Sequence, residues 1–150
     1  MYFIQSGYFE ITPWWIPIFQ HYLEWNDDTG HTLVAGPTPL VGLTYTYKIW
    51  FDGYGSHKWW NYIQLGDLIV VPIRLVDVVY YIPVDLQAFV ETESTQTNID
   101  GSHLSNLRGW DRYNEQWFLW YQHTPFTTPG SPYYLTEESH WEFYAYGGSL

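Results

Sequence analysis

The stretch Leu43–Asp52, which reads LTYTYKIWFD, decides the fold class of this protein. Every second residue from Leu43 to Phe51 is large and apolar or aromatic, so these residues share one face of an extended chain. The opposite face carries Thr44, Thr46, Lys48, Trp50 and Asp52. Such period-two alternation predicts an antiparallel strand with one covered face.

The same alternation recurs along the chain, interrupted by turn residues. No stretch of a dozen residues repeats its apolar positions at intervals of three and four, which is the helical pattern. About ten short strands between Gly, Pro, Asn and Asp turns predict an all-β fold, an antiparallel β-sandwich or jelly roll of the concanavalin-like type. The predicted strands span residues 2–12, 18–25, 31–34, 43–52, 57–64, 68–75, 84–94, 104–112, 115–122 and 140–146.

The length of 150 residues fits one domain, and 46% of the residues are apolar, which is enough to form a core. We therefore expect a single β-sandwich domain over residues 1–150. The segment His123–Ser139 contains three prolines and one glycine without clean alternation. It predicts a loop near 123–139, followed by a C-terminal strand over 140–146.

The charge balance excludes several partners. The chain has 16 Asp and Glu against 5 Lys and Arg, a formal net charge of -11. Excess carboxylate repels phosphate backbones and anionic lipid headgroups, so we expect no nucleic acid partner and no membrane insertion. No apolar run approaches the roughly 20 residues of a spanning helix. We expect an extracellular protein, secreted or surface-exposed, whose signal peptide is not part of this chain.

Metal and cofactor chemistry find no support in the sequence. The chain has no cysteine, and its six histidines lack the i, i+2 or i, i+4 spacing of a metal-binding element. We expect neither a metal nor a cofactor.

Aromatic residues make up 22% of the chain, with 10 Trp, 15 Tyr and 8 Phe, more than one core can hold. Trp and Tyr faces stack on sugar rings while amides and carboxylates bind hydroxyl groups, so such rings predict a module that binds a glycan. Trp59 and Trp60 form the best candidate platform. The same rings are equally typical of a subunit interface, which predicts a homo-oligomer or a self-assembling structural protein of a cell surface or virion.

Two predicted strands place polar groups among aromatic ones. Phe3, Gln5, Gly7 and Phe9 share one face of the first strand. In the other, the residues on one face are Gln87, Phe89, Glu91 and Glu93. A carboxyl among rings is partly desolvated, which suits it to general acid and base chemistry, and an amide can stabilise an oxyanion.

These strands resemble those of the glutamic peptidases, the eqolisin family, and more loosely the neprosin-like proteins. Phe3–Gly7 is similar to the strand that carries the catalytic glutamine, and Ala88–Glu93 is similar to the strand that carries the catalytic glutamate. Tyr45–Asp52 with the Gly66-Asp67 turn is similar to the central strands of the family, and Gly101–Leu107 to the segment before its next strand.

The resemblance implies an acid-active endopeptidase that cleaves a polypeptide substrate. In it, Glu91 activates a water molecule and Gln5 stabilises the oxyanion. The groove walls of such an enzyme, where a substrate or a glycan would bind, are expected from Trp50, Trp59, Trp60, Phe89 and Glu93. The residues by themselves leave open that Gln5 bonds a neighbouring strand and that Glu91 is a solvated carboxylate at a sheet edge.

Overall fold

The computed structural model describes residues 3–11, 16–51, 58–77, 88–90, 97–111, 113–121 and 130–148. Within these residues eleven strands form antiparallel sheets, and no helix is present, so none is long and apolar enough to cross a membrane. The predicted all-β antiparallel class is therefore confirmed. The chain divides into two compact units, residues 1–84 and 85–150, and each is described by itself.

The strands follow the chain in this order: β1 (Phe3–Ile11), β2 (Ile18–Asp27), β3 (Gly30–Ala35), β4 (Thr46–Phe51), β5 (Lys58–Leu65), β6 (Leu68–Asp77), β7 (Ile99–Leu104), β8 (Arg108–Asp111), β9 (Gln116–Leu119), β10 (Tyr134–Ser139) and β11 (Glu142–Gly147). In the first unit, sheet A has the order β1-β2-β3 and sheet B the order β4-β5-β6. In the second, sheet C has the order β10-β11-β7 and sheet D pairs β8 with β9.

Tight turns set the register of the hairpins in the first unit. Asp27 pairs with Gly30 across a two-residue turn, and the Asp27 carboxylate accepts hydrogen bonds from the Thr29 amide at 2.8 Å and the Thr29 hydroxyl at 2.6 Å. Gly30 has a φ of 111°, which favours glycine at this position. These are the turn residues that the sequence indicates.

The core of the first unit lies where β2 meets β5 and β6. Leu23, Ile63 and Val71 are fully buried, and Trp25, Tyr45 and Val70 pack against them. Each fully buried aliphatic side chain contributes about 1.5–3 kcal/mol to stability. Because side chains alternate along a strand, the faces of β2 and β5 that carry Leu23 and Ile63 are the inner faces of sheets A and B.

The second unit is built around β11, the central strand of sheet C. Phe143 and Ala145 are buried on one of its faces, whereas Tyr144 and Tyr146 lie on the other. The Tyr144 ring stacks on His103 and the Tyr146 ring stacks on Tyr134, at centroid distances of 4.2 and 5.3 Å. Sheet C and sheet D are joined through the main chain of Leu107, which bonds both Trp141 and Trp120 at 3.1 Å.

Some predicted segments differ from the structure. The last part of the loop predicted over 123–139 is a strand, because β10 occupies Tyr134–Ser139. This strand lies at the edge of sheet C and is mostly exposed, so it lacks the apolar alternation that reveals a strand in sequence. Of the strand predicted over 104–112, Arg108–Asp111 form β8, whereas Leu104 ends β7, most of which lies outside the predicted strands. Asn106, between β7 and β8, has a φ of 58°. A left-handed residue of this kind interrupts an extended chain.

The finer expectations for the architecture stay predictions. Each of the four sheets contains only two or three strands, which does not establish a sandwich or a jelly roll. The expectation of a single domain over residues 1–150 likewise stays a prediction.

Candidate functional site

Gln5 lies on β1, on the face of sheet A opposite the buried Leu23. Its register partner on β2 is Glu24, and Nε2 of Gln5 donates a hydrogen bond to the Glu24 carboxylate. The other carboxylate oxygen of Glu24 lies 2.5 Å from Nε2 of His31 on β3. The Glu24 side chain is only 16% exposed. The glutamate partner of Gln5 among the described residues is thus Glu24 on the neighbouring strand.

The second half of the predicted dyad, Glu91, lies outside the described residues, as does Glu93. The pairing of Gln5 with Glu91 therefore stays a prediction. Of the strand predicted over 84–94, residues 88–90 are described and are not part of a strand. Phe89 in this segment is 45% exposed and belongs to the second unit.

An aromatic surface lies on the outer face of sheet B, the face opposite Ile63. Here an open cleft of about 200 Å³ is lined by Trp50, Trp60, Tyr62, Gln64 and Ile69. We call these five residues the aromatic cleft. Trp50 is the register partner of Trp60, and Gln64 pairs with Ile69, so the lining is built from side chains directly opposite one another on adjacent strands.

A cation lies beside this cleft. Lys48 is the register partner of Tyr62, and its Nζ is 5.8 Å from the ring centroid of Trp50 and 5.7 Å from that of Tyr62. Both distances lie within the range in which an ammonium group is attracted to the face of an aromatic ring. The Lys48 ammonium group therefore lies close to two of the three rings of the cleft, Trp50 and Tyr62.

Of the two adjacent tryptophans that the sequence singled out, only Trp60 lines the cleft. Trp59 is one residue away on β5, so its side chain projects to the opposite face, the face of the fully buried Asn61 and Ile63. The structure thus brings Trp50 and Trp60 together and separates Trp59 from them.

The polar groups of the cleft are few. Nε1 of Trp50 and Nε1 of Trp60 are hidden from solvent and have no hydrogen-bond partner among the residues that the structure describes, so they do not face a ligand in the open cleft. The side-chain amide of Gln64 can both donate and accept hydrogen bonds, as can the hydroxyl of Tyr62.

A second feature, away from the cleft, is a histidine within the core of the first unit. His21 is fully buried, its Nδ1 lies 3.2 Å from the Tyr47 hydroxyl, and its ring meets the Tyr45 ring edge-on at 4.4 Å. Burial lowers the pKa of His21 below its ordinary value, because desolvation disfavours the charged imidazolium. Burial likewise raises the pKa of Tyr47 well above its usual range, so its phenol stays neutral.

Sequence reasoning did not identify Tyr62, Gln64 and Lys48 as site residues, although a signal for them exists. Trp60, Tyr62 and Gln64 occupy alternate positions of one strand, as do Lys48 and Trp50 of the preceding strand. The two sets become one surface only when the register of β4 against β5 is known.

Sheet and cleft together describe an all-β protein with an aromatic cleft on the outer face of one of its sheets. No family model, no curated protein and no solved structure matches the chain.

Proposed function

We propose that this protein is an extracellular glycan-binding module that holds a sugar ring in the aromatic cleft. The observation that carries the proposal is the grouping of three aromatic rings and one amide along an open cleft on a single sheet face. Pyranose rings present C–H groups to aromatic faces and hydroxyl groups to amides, so both components of the cleft have a counterpart on a sugar.

The size of the cleft supports contact with one ring of a longer chain. Its volume of about 200 Å³ is below the range of about 300–1,000 Å³ that is typical of pockets enclosing a whole small molecule. An open cleft of this size leaves the neighbouring sugars of a polysaccharide in solvent. Binding of this kind requires no catalytic group at the cleft.

The experiment is a titration of the full chain with neutral and acidic oligosaccharides. Binding is measured by calorimetry and by tryptophan fluorescence. We expect Trp60→Ala to weaken binding about tenfold, the effect of losing one aromatic stacking contact. Trp141→Ala is the matched control, since Trp141 is 37% exposed in the second unit. Absence of binding to every oligosaccharide, or wild-type affinity in Trp60→Ala, overturns the proposal.

The acid endopeptidase is the second proposal. It is favoured by the contact between the Gln5 amide and a glutamate carboxylate on the same sheet as Phe3 and Phe9. Against it stands the burial of His21, whose lowered pKa reduces stability in acid.

The two functions are separated by cleavage of a denatured protein substrate between about pH 2 and pH 6, within the acid range in which carboxyl groups titrate. The variants are Gln5→Ala, Glu91→Gln and Glu24→Gln, each shown to be folded. Activity lost in Gln5→Ala and Glu91→Gln supports the dyad inferred from the resemblance. Activity lost in Gln5→Ala and Glu24→Gln, but not in Glu91→Gln, assigns the carboxyl role to Glu24. A folded wild-type chain without activity removes the enzyme proposal.

A further inference from the structure

We propose that two copies of this chain form a dimer through strand β3, by pairing their β3 strands antiparallel across a two-fold axis. Sheet A then extends from three strands to six. The inference goes beyond the proposed function and does not depend on it, because the aromatic cleft lies on sheet B. The contact forms through main-chain groups and not through the aromatic rings.

The first support is the direction of the main-chain groups of β3. The strand is the last in the order β1-β2-β3, so within the described part of the chain it has a neighbour on one side only. Gly36, which continues the register of β3, donates its amide to the His21 carbonyl on β2 at 2.7 Å. Main-chain groups alternate between the two sides of an antiparallel strand, so those of His31, Leu33 and Ala35 point away from β2. Each of these residues presents one N–H and one C=O at the edge of sheet A.

The second support is the exposure of this edge. Gly30, His31, Leu33 and Ala35 are exposed, and 48% of Leu33 is accessible to solvent. Natural edge strands are commonly protected against pairing by a lysine, a proline or a bulge. β3 has none of these, since its sequence is GHTLVA and its register with β2 is regular throughout. The strand is therefore a ready template for a further strand.

The third support is the distribution of charge. The chain has a formal net charge of -11, so most surfaces of two copies repel one another. β3 lies within residues 29–47, a stretch that contains no Asp, Glu, Lys or Arg. Two copies can therefore meet at this edge without opposing charged side chains on β3. A basic partner, by contrast, finds no carboxylate on β3 to bind.

The fourth support is that β3 is complementary to itself. When Leu33 lies opposite its own copy, His31 lies opposite the partner's Ala35. All three resulting pairs use outward main-chain groups, and two hydrogen bonds for each pair give six in total. On the inner face, Thr32 lies opposite the partner's Val34, a pair of β-branched residues of the kind that stabilises antiparallel strands. The contact is isologous, so it closes at a dimer.

The first test measures the mass of the full chain by sedimentation between about 1 µM and 1 mM, a range that brackets the weak affinity of a small interface. We expect the wild type to pass from the mass of one chain to twice that mass. Leu33→Lys places like charges opposite each other on the two-fold axis, and we expect it to weaken dimerisation at least about tenfold. Circular dichroism checks that the variant is folded. Leu68→Lys is the matched control, since Leu68 is 65% exposed at the start of β6, and it is expected to dimerise like the wild type.

A cross-link tests the register. The chain has no cysteine, so Leu33→Cys introduces a single thiol. Directly opposite residues of a hydrogen-bonded antiparallel pair have Cα atoms about 5.5 Å apart, which a disulfide can span. We expect Leu33→Cys to form a disulfide-linked dimer under mild oxidation. Leu68→Cys, the control, is expected to remain mostly monomeric.

Three outcomes contradict the inference. A wild-type chain that is monomeric at every concentration overturns it and leaves the edge of sheet A to an extended segment of another protein. Dimerisation of Leu33→Lys with wild-type affinity assigns the dimer to another surface. Equal disulfide formation in Leu33→Cys and Leu68→Cys overturns the pairing of β3 with its own copy.

Discussion

The side-chain amide of Asn61 donates a hydrogen bond from Nδ2 to the main-chain carbonyl of Gln5 at 2.9 Å. Asn61 is fully buried on β5 of sheet B, and Gln5 lies on β1 at the edge of sheet A. A side chain of sheet B therefore provides the hydrogen-bond donor for a main-chain carbonyl on the edge strand of sheet A. It fixes the β1 position from which Gln5 reaches Glu24.

Replacement of Asn61 by alanine is expected to destabilise the first unit. The change leaves the Gln5 carbonyl without its donor and opens a small cavity, at a combined cost of about 1–3 kcal/mol. The free energy of unfolding, measured by urea denaturation, checks this. Asn98→Ala is the control, since Asn98 is exposed and outside the strands, and it is expected to change stability little. Equal stabilities of the two variants would show that the bond between the sheets contributes nothing.

Acid is expected to weaken the fold through His21. Its folded-state pKa is lowered below the ordinary value of 6.5, so the unfolded chain binds more protons as the pH falls past that value. Stability is therefore present above about pH 6.5 and is lost as the pH falls, by at most about 1.4 kcal/mol per pH unit for one group.

The groups that face His21 are the rings of Tyr45 and Tyr47 and the Tyr47 hydroxyl. The measurement is the free energy of unfolding between about pH 5 and pH 8, above the range in which carboxyl groups titrate. His21→Gln is expected to show a shallower pH dependence than the wild type, whatever its absolute stability. An unchanged slope would assign the pH dependence to other histidines.

Gly36 is expected to tolerate no side chain. A Cβ at this position would lie 2.7 Å from Cγ2 of the buried Val71 and 3.3 Å from Cβ of His21. Gly36→Ala should therefore lower the free energy of unfolding by about 1–3 kcal/mol through overpacking. Gly130→Ala is the matched control, since a Cβ there meets nothing within 4 Å. Similar stabilities of the two variants would contradict the packing of Gly36 against the core.

Replacing the two adjacent tryptophans of β5 by alanine is expected to affect different properties, stability for Trp59 and glycan binding for Trp60. Trp59 shares the face of Asn61 and Ile63, so Trp59→Ala is expected to lower the free energy of unfolding by about 2 kcal/mol. Trp60→Ala is expected to cost less stability and to weaken glycan binding instead. Denaturation and titration of both variants give the comparison. A larger stability loss in Trp60→Ala would reverse the assignment of the two faces.

Much of the local structure could be predicted from the sequence. Alternation along LTYTYKIWFD predicts the strand observed as β4, and the Asp27–Gly30 turn predicts the β2–β3 hairpin. Alternation also requires that Trp59 and Trp60 point to opposite faces. These features are local, because a period of two and a turn residue act within a few positions of the chain.

Only the tertiary structure decided which face of each strand is buried and which strands are neighbours. His21, Leu23 and Trp25 alternate on β2, but only packing against Ile63 and Val71 makes their face the core and buries a histidine there. The pairing of Trp50 with Trp60, and of Gln5 with Glu24, depends on the register between strands distant in sequence. Register is set by turns and by the burial of whole faces, so the cleft and the polar network follow from the assembled sheets and not from any single segment.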